Sequence, residues 1–303
     1  MAYVAVMRVI ISGASGLIGS ALASSLETDG HTVVRMVRRA PGDGEIHWNP
    51  ASGTLEASDL AGADAVVHLA GAGIGDRRWS DAYKREILDS RVKGTDLLAR
   101  RLAECEGRPP VLLSGSAIGI YGPSDGRDLD ESSPTSTDFL ADVCRQWEHA
   151  TAPAEAAGVR VVHLRTGIVL TPKGGALAKM LPLFRLGLGG RFGNGRQWQS
   201  WISLDDEVGA IRHLLTSTLS GPVNLTAPTP VANSEFTRVL AGVLKRPALF
   251  PVPAIGPRLL LGRELADALL FTGQKVVPRA LEADGYTFVH ADLATALRSL
   301  LGR

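Results

Sequence analysis

Cysteine and long apolar runs are scarce in this sequence, and each absence excludes a class of protein. Only two cysteines, Cys105 and Cys144, occur among 303 residues, which is too few for a disulfide framework and typical of a reducing compartment. No apolar run reaches the roughly twenty residues that a membrane-spanning helix needs. Residues 1–8 carry no charged leader and run straight into a glycine turn, which indicates a first strand and not a signal peptide. We therefore expect a cytoplasmic protein without a membrane segment.

An excess of charge is missing as well. The chain has 32 Lys and Arg residues against 31 Asp and Glu residues, and its net charge is +1. A balanced chain has no overall field that attracts nucleic acid or an anionic membrane, so we predict neither as a partner. The histidines are scattered without metal-ligand spacing, and Asp205 is best interpreted as the N-cap of a helix over 207–219, not as a metal ligand together with Asp206. The sequence therefore predicts no metal site.

Strand-like apolar segments alternate with helix-length segments through the first half of the chain. The strand-like segments are 6–12, 32–37, 65–69, 111–114 and 159–164, and helical spacing covers 17–27, 81–105 and 139–157. Short, continuously apolar strands separated by helices are typical of a parallel sheet covered on both faces. The sequence therefore predicts an α/β fold, a Rossmann-type doubly wound parallel sheet, with a dinucleotide-binding domain over 1–166. A smaller α/β substrate-binding region is expected over 167–303, part of which can return to the first sheet.

The strongest motif is a glycine turn between the first strand and the first helix. Gly13, Gly16 and Gly19 have the spacing G-x-x-G-x-x-G. Gly13 permits the tight turn, Gly16 lets the backbone approach a pyrophosphate, and Gly19 lets helix and strand pack closely. The helix N-terminus then offers N–H groups and the positive end of its dipole to the phosphates. The motif predicts a bound dinucleotide, and the alternative is a glycine turn without a ligand.

The end of the second strand indicates which dinucleotide binds. Proteins that bind NAD usually place an acidic residue there, about twenty positions after the glycine turn, to bind the ribose hydroxyls. This chain has Arg38 and Arg39 at that point and no carboxylate. Two guanidinium groups suit a 2′-phosphate, which arginine can bind through paired hydrogen bonds. We therefore favour NADP(H) over NAD(H), and the alternative is a solvated basic turn.

Several further motifs follow one another in an order that resembles a known superfamily. They are SGASGLIG at 12–19, VHLAG at 67–71, LSGSA at 113–117 with Tyr121-Gly122 after it, LRTGIVL at 164–170, WISLDD at 201–206 and the stretch 274–286. The chain resembles the extended short-chain dehydrogenase/reductase superfamily, of the NAD-dependent epimerase/dehydratase type. Its last part, about 250–300, resembles the DUF1731 extension of an epimerase-like subgroup. The resemblance covers nearly the whole chain.

The resemblance implies cofactor contacts beyond the three glycines and two arginines. The glycine turn would add its own neighbours, the loop after the fourth strand would line the adenine and ribose side, and the fifth and sixth strands would approach the nicotinamide ribose and the nicotinamide. The residues so implied are Ser15, Leu17 and Ile18, then Leu69, Ala70 and Gly71, then Ser114 and Gly115, and finally Thr166 and Gly167.

The residues that usually perform catalysis in this superfamily are not in place. The resemblance implies a Tyr that transfers a proton, a Lys four residues later that lowers the Tyr pKa and holds the ribose, a Ser or Thr, and an Asn on an earlier helix. When the chain is aligned on Glu148, Leu140 takes the Tyr position and Cys144 the Lys position. Arg91 takes the Asn position and Ala117 the Ser/Thr position. Leucine cannot move a proton, and a neutral thiol cannot supply the charge of an ammonium group.

Other groups near the expected site are therefore the catalytic candidates. Tyr121 follows the fifth strand, where parallel sheets place their ligands, and Arg91 could lower its pKa if the two side chains are close. Ser116 lies beside the Ser/Thr position, and Glu131 and Cys144 are further candidates. The alternative for Tyr121 is a packed aromatic ring with a solvated hydroxyl, and the alternative for Cys144 is a small buried core residue.

The stretch 173–201 combines cations and aromatic residues with many glycines. Arg185, Arg191, Arg196 and Trp201 are the substrate-binding candidates, because guanidinium groups and an indole suit an anionic or nucleotide-like small molecule. The glycines would let the loop close over a cofactor. The same composition also fits single-stranded nucleic acid, which the balanced charge of the chain argues against, or a mobile surface loop with solvated cations.

Together these features predict an NADP(H)-binding, epimerase-like oxidoreductase that acts on a small anionic or carbonyl substrate without the usual Tyr-x-x-x-Lys pair. The alternative is a non-catalytic NADP(H)-binding sensor or interaction protein, because the cofactor turn is preserved beside an altered catalytic set. The fold cannot choose between them, since function depends on the site.

Overall fold

The computed structural model describes residues 6–303, and its centre is one parallel sheet. The strands of this sheet are Arg8–Ser12 (β1), Thr32–Val37 (β2), Glu45–His47 (β3), Ala65–His68 (β4), Val111–Ala117 (β5), Arg160–Thr166 (β6) and Gly221–Leu225 (β10). The small strands are Ile168–Leu170 (β7), Trp198–Gln199 (β8), Trp201–Ser203 (β9) and Val231–Ala232 (β11). The large sheet has the order β10-β6-β5-β4-β1-β2-β3, which confirms the predicted Rossmann-type fold. Residues 1–5, part of the segment interpreted as a first strand, lie outside the described range.

Helices cover both faces of the sheet and build the C-terminal part. They are Leu17–Thr28 (α1), Asp81–Glu104 (α2), Phe139–His149 (α3), Ala152–Ala156 (α4), Gly175–Arg185 (α5), Leu204–Thr216 (α6), Asn233–Leu244 (α7), Ile255–Leu261 (α8), Arg263–Ala266 (α9), Arg279–Ala283 (α10) and Leu293–Leu301 (α11). Short 3₁₀ turns occupy Ala57–Leu60 and Ile118–Tyr121, and a π-helical turn occupies Asp267–Phe271. No helix among residues 6–303 is long and apolar enough to cross a membrane.

Two expected helices differ in their bounds. The single helix expected over 139–157 is divided into α3 and α4, and Ala150 ends the first of them. The helix expected over 207–219 begins at Leu204, and its N-cap is Ser203, whose hydroxyl accepts a hydrogen bond from the Asp206 N–H. The interpretation of Asp205 as the N-cap was therefore wrong. A serine directly before the helix provides the same oxygen acceptor.

The alternation of side chains along the strands separates two apolar layers. Val9 and Ile11 of β1 pack with Leu22 of α1 and Ile211 of α6 on one face. Ile10 belongs to the layer on the other face, which includes residues of α2 and α4. Because successive side chains of a strand point to opposite faces, a strand buried on both faces must be apolar throughout. This explains the unbroken apolar runs in the sequence.

The order of the strands reverses between β1 and β4. From β1 the chain builds outward to β2 and β3, and from β4 it builds in the opposite direction to β5, β6 and β10. In doubly wound sheets such a switch point opens a crevice at the carboxyl ends of the strands, where ligands bind. The seventh strand, β10, lies beyond residue 166 and brings part of the second region into the first sheet.

The remaining chain forms a smaller body with its own core. Strand β7 pairs with β9, β8 pairs with β11, and an apolar cluster joins α5, α7 and α11. This cluster contains Trp201, which is fully buried. The stretch 173–201 is thus partly a folded helix and not one continuous loop.

Candidate functional site

The glycine turn forms a tight cradle at the start of α1. A Cβ atom at Gly13 would lie 2.8 Å from the carbonyl carbon of Leu69, and the φ angle of Gly13 is +71°. A Cβ at Gly19 would lie 2.3 Å from the Gly13 oxygen, closer than packed atoms allow. Gly16 is the N-cap of α1, and no side chain caps the helix, so its first N–H groups stay available. This cradle fits a pyrophosphate held by backbone N–H groups.

The two arginines at the end of β2 differ in their surroundings. Arg39 makes a two-bonded ion pair with Glu45, at 2.7 and 2.6 Å. Arg38 is exposed, and no side chain within residues 6–303 forms a hydrogen bond or an ion pair with it. Arg38 is therefore the guanidinium that is ready for a phosphate, whereas Arg39 would have to exchange its carboxylate partner.

The other expected cofactor residues lie at the carboxyl edge of the sheet. Ser12 of β1 is level with His68 of β4, which is level with Ser114 of β5. At the far side, Thr166 of β6 is level with Ala117. Exposure varies along this edge. Gly71 is exposed, Leu69, Ala70, Thr166 and Gly167 are half-buried, and Ser114 and Gly115 are buried.

Buried side chains near the carboxyl ends of β5 and β6 form a hydrogen-bond network. The Tyr121 hydroxyl donates to Oδ1 of Asn224 at 2.8 Å and accepts from Nη1 of Arg165 at 2.9 Å. Arg165 also donates to both carboxylate oxygens of Glu148, at 2.8 and 2.9 Å. The Ser116 hydroxyl donates to Glu148 Oε1 at 2.6 Å. Two candidate catalytic residues, Tyr121 and Ser116, thus belong to one network.

The network shifts the pKa of its members in different directions. Burial raises the pKa of the Tyr121 hydroxyl, and the Arg165 guanidinium only partly opposes this. Burial would also raise the pKa of Glu148, but the hydrogen bonds and charge of Arg165 lower it below its ordinary value. Tyr121 therefore keeps its proton at neutral pH, and Glu148 is ionised.

The expected pairing of Arg91 with Tyr121 is absent from the described structure. Arg165, a residue of the LRTG stretch, takes that place, while Arg91 lies over the ring of Trp147 at 5.0 Å. Cys144 is buried and its pKa rises to about 12, chiefly because of burial, so its thiol is a neutral packed group. The sequence offered Arg165 only as part of a motif. Its charge inside an apolar strand was the signal that it needs a buried partner.

Two further acidic residues have defined partners, namely Glu131, a catalytic candidate from the sequence, and Glu207, which the sequence did not indicate. Glu131 Oε1 accepts from the backbone N–H groups of Asn224 and Ala280, which ties the C-terminal segment to the sheet, and burial raises its pKa. Glu207 of α6 is fully buried and accepts a hydrogen bond of 2.8 Å from the Thr166 hydroxyl. Burial raises the pKa of Glu207 to about 8. The sequence did not indicate a role for Glu207, because its position predicted only an ordinary residue of the helix expected over 207–219.

The substrate-binding candidates divide into two groups. Arg185, Arg191 and Arg196 are exposed. Trp201 has no exposed surface, and its indole N–H donates to the Thr229 carbonyl at 3.0 Å, so its assignment to the substrate was wrong. Its neighbours in β7 and α7 enclose it, which the sequence of the loop could not indicate. Trp198 is half-buried and carries the Lys275 ammonium 4.6 Å above its ring.

Comparison with protein families identifies the chain. The model of the NAD dependent epimerase/dehydratase family matches residues 9–225. The chain belongs to that family. A second model, a domain of unknown function called DUF1731, matches residues 252–300 and confirms the resemblance of the C-terminal part.

The similarity to members of this family extends over nearly the whole chain. An epimerase family protein of Mycobacterium tuberculosis is 47% identical over 291 residues, which cover 95% of this chain and 96% of that protein. The human epimerase family protein SDR39U1, crystallised with NADPH, has 36% identity and a TM-score of 0.90, covering 98% of this chain and 99% of the other. A nucleoside-diphosphate sugar epimerase of Corynebacterium glutamicum has 38% identity and a TM-score of 0.80, covering 98% of this chain and 59% of the other.

Proposed function

We propose that this protein binds NADP(H) across the carboxyl edge of the sheet. The observation that carries this is the cradle in which Gly13 lies against Leu69 and no side chain caps α1. The exposed Arg38 would receive the 2′-phosphate. The NADPH in the structure of the human relative supports the choice of NADP(H) over NAD(H). We place the remaining contacts at the loop after β4 and at Thr166 and Gly167.

Direct binding measurements test this proposal. Titration with NADPH and NADH, followed by nucleotide fluorescence, should show tighter binding of NADPH. The change Arg38→Ala should reduce that preference by about tenfold, because a charge-assisted hydrogen bond to phosphate is lost. Arg39→Ala should have a smaller effect, since Glu45 already holds that guanidinium. Arg238→Ala, which breaks a similar exposed pair with Glu235, is the control. Equal affinity for both nucleotides in the unchanged protein would contradict the proposal.

We further propose an epimerase-like or reductase activity on a small anionic or carbonyl compound. No acidic residue occurs between Lys173 and Leu204, and Arg185, Arg191 and Arg196 are each exposed, so this stretch of the chain favours an anion. NADPH, when bound, supplies a hydride to a carbonyl carbon. The proton for the carbonyl oxygen would come from the neutral Tyr121 hydroxyl, and Arg165 would stabilise the resulting phenolate.

A non-catalytic role as an NADP(H) sensor is the second candidate. The buried hydrogen bonds of Tyr121 and Ser116 favour this role, because the Tyr121 proton is directed at Asn224 and the Ser116 proton at Glu148. A screen of aldehydes and ketones by NADPH absorbance, and of sugar nucleotides by analysis of epimeric products, separates the two candidates, because an epimerase regenerates its cofactor. Turnover that falls at least tenfold in Tyr121→Phe supports the enzyme. NADPH binding without turnover of any carbonyl class supports the sensor.

A further inference from the structure

The Arg91 guanidinium is an incompletely paired cation in a buried position. Only 7% of the residue is exposed, and its single hydrogen bond within residues 6–303 goes from Nη1 to the Ile87 carbonyl of its own helix at 3.1 Å. No carboxylate of the described chain lies within ion-pair distance of it. A guanidinium has five N–H donors, and a buried charge without acceptors is costly. The described chain therefore leaves most N–H donors of Arg91 without a hydrogen-bond acceptor.

The surroundings of Arg91 place its free donors at the edge of the crevice. A Cβ atom on the exposed Gly71 would lie 3.3 Å from the Arg91 Cζ, so the guanidinium sits directly behind that glycine. The Ala72 N–H donates to the hydroxyl of Ser90 at 3.0 Å, which holds the loop against α2. The Trp147 ring also lies against the guanidinium, with its centroid 5.0 Å from Cζ. Nε and Nη2 have no hydrogen-bond partner in the described chain. They are not among its fully buried unpaired polar atoms, so a ligand can still reach them.

The position of Arg91 along the sheet indicates which part of a dinucleotide it would contact. Arg38 lies at the end of β2 and the glycine cradle at the end of β1, so the adenosine phosphate and the pyrophosphate belong to that side of the switch point. Gly71 follows β4, and Trp147 lies against Gly115 of β5, on the opposite side. The half of the cofactor beyond the pyrophosphate, which contains the second ribose, extends over these strands.

We propose that Arg91 binds the hydroxyl groups of the nicotinamide ribose and positions that half of the cofactor. This inference rests on the proposed binding of NADP(H). Arg91 is a positioning residue that supplies a fixed cation from α2, whereas the buried, neutral thiol of Cys144 in α3 supplies none. A Cβ atom at Gly71 would lie 3.3 Å from the Arg91 Cζ, so a side chain there would crowd the guanidinium and make it shift slightly.

Ligands that contain different parts of the cofactor test the assignment. We compare Arg91→Met, which keeps the apolar stem, with the unchanged protein in calorimetric titrations of NADPH, 2′-phospho-ADP-ribose and adenosine 2′,5′-bisphosphate. Affinity for the first two ligands should fall about tenfold, equivalent to about 1.4 kcal/mol. Affinity for the bisphosphate, which lacks the second ribose, should not change. Arg91→Lys should restore part of the loss, and Arg85→Met, an exposed arginine of the same helix, is the control.

Each outcome has one meaning. Unchanged NADPH affinity in Arg91→Met overturns the inference, and so does an equal loss for all three ligands, which would show a structural role. A loss for NADPH alone would move the contact from the ribose to the nicotinamide ring and also overturns it. If Arg91→Met does not fold, the test uses Arg91→Lys. The ratio of its affinity for NADPH to its affinity for the bisphosphate then decides, because this ratio does not depend on the folded fraction. Failure of the unchanged protein to bind NADPH would instead contradict the proposed function.

Discussion

Arg165 and Glu148 form an ion pair in which Nε and Nη2 of the guanidinium donate to the two carboxylate oxygens at 2.8 and 2.9 Å. Their side chains are only 7% and 12% exposed. The pair joins β6 to α3 and holds both Tyr121 and Ser116 through further hydrogen bonds. It therefore links the stability of the sheet to the geometry of the candidate catalytic groups.

Breaking this pair should destabilise the protein strongly. Arg165→Gln leaves the Glu148 carboxylate buried without its cation, which typically costs about 3–5 kcal/mol. Urea unfolding should show this as a lower midpoint with an unchanged slope. Arg238→Gln breaks a similar two-bonded pair on the exposed surface of α7 and should leave the midpoint in place. Equal effects of the two changes would show that burial does not govern the strength of the pair.

The glycine turn should tolerate no side chain at Gly19. A methyl group there would meet the Gly13 oxygen at 2.3 Å, so Gly19→Ala must push α1 away from β1. We expect a loss of about 1–3 kcal/mol in the free energy of unfolding and a clear loss of NADPH affinity. Gly242→Ala is the control, since no atom lies within 4 Å of its Cβ position in α7. Thermal unfolding and nucleotide titration of both variants check this, and full NADPH affinity in Gly19→Ala would be the contrary result.

The buried Glu207 should make stability decrease with rising pH. Its pKa is raised by burial from 4.5 to about 8, so the folded protein holds this proton more tightly than the unfolded chain does. The contribution is complete below about pH 4.5 and is lost as the pH rises through 8, at about 1.4 kcal/mol per pH unit between the two values. Glu207→Gln keeps an acceptor for Thr166 and removes the titration.

The measurement is the difference in unfolding free energy between the two proteins from pH 5 to 9. The unchanged protein should lose stability relative to Glu207→Gln by several kcal/mol over this range. Subtracting the two curves cancels the other titrating groups, which both proteins share. A flat difference would mean that Glu207 is ionised in the folded protein.

Both thiols should be inert in the folded protein. Burial raises the pKa of the Cys144 thiol to about 12 and also raises that of Cys105, so almost no thiolate is present at neutral pH. A chromogenic disulfide reagent at pH 7.5 should react with two thiols in guanidinium chloride and with neither in buffer. Rapid labelling of Cys144 without denaturant would contradict this prediction and support a catalytic thiol.

Local patterns in the sequence were sufficient to predict the fold and the glycine turn. The apolar strands, the helical spacing and the G-x-x-G-x-x-G turn act over a few residues, and the order of the motifs identified the family confirmed by the match over 9–225. Residues such as Arg38 and Gly13 could be named because neighbours in sequence define a strand end and a turn.

The tertiary structure alone decided which side chains meet. Tyr121 finds Arg165, 44 residues away, and not Arg91, because β5 and β6 are neighbours in the sheet and the side chains at their ends converge. Trp201 is core because β7 and α7 fold over it, and Glu207 is buried because α6 packs against the sheet. Burial and charge pairing are set by chain segments that are distant in sequence, whereas periodicity and turn geometry are set by adjacent residues.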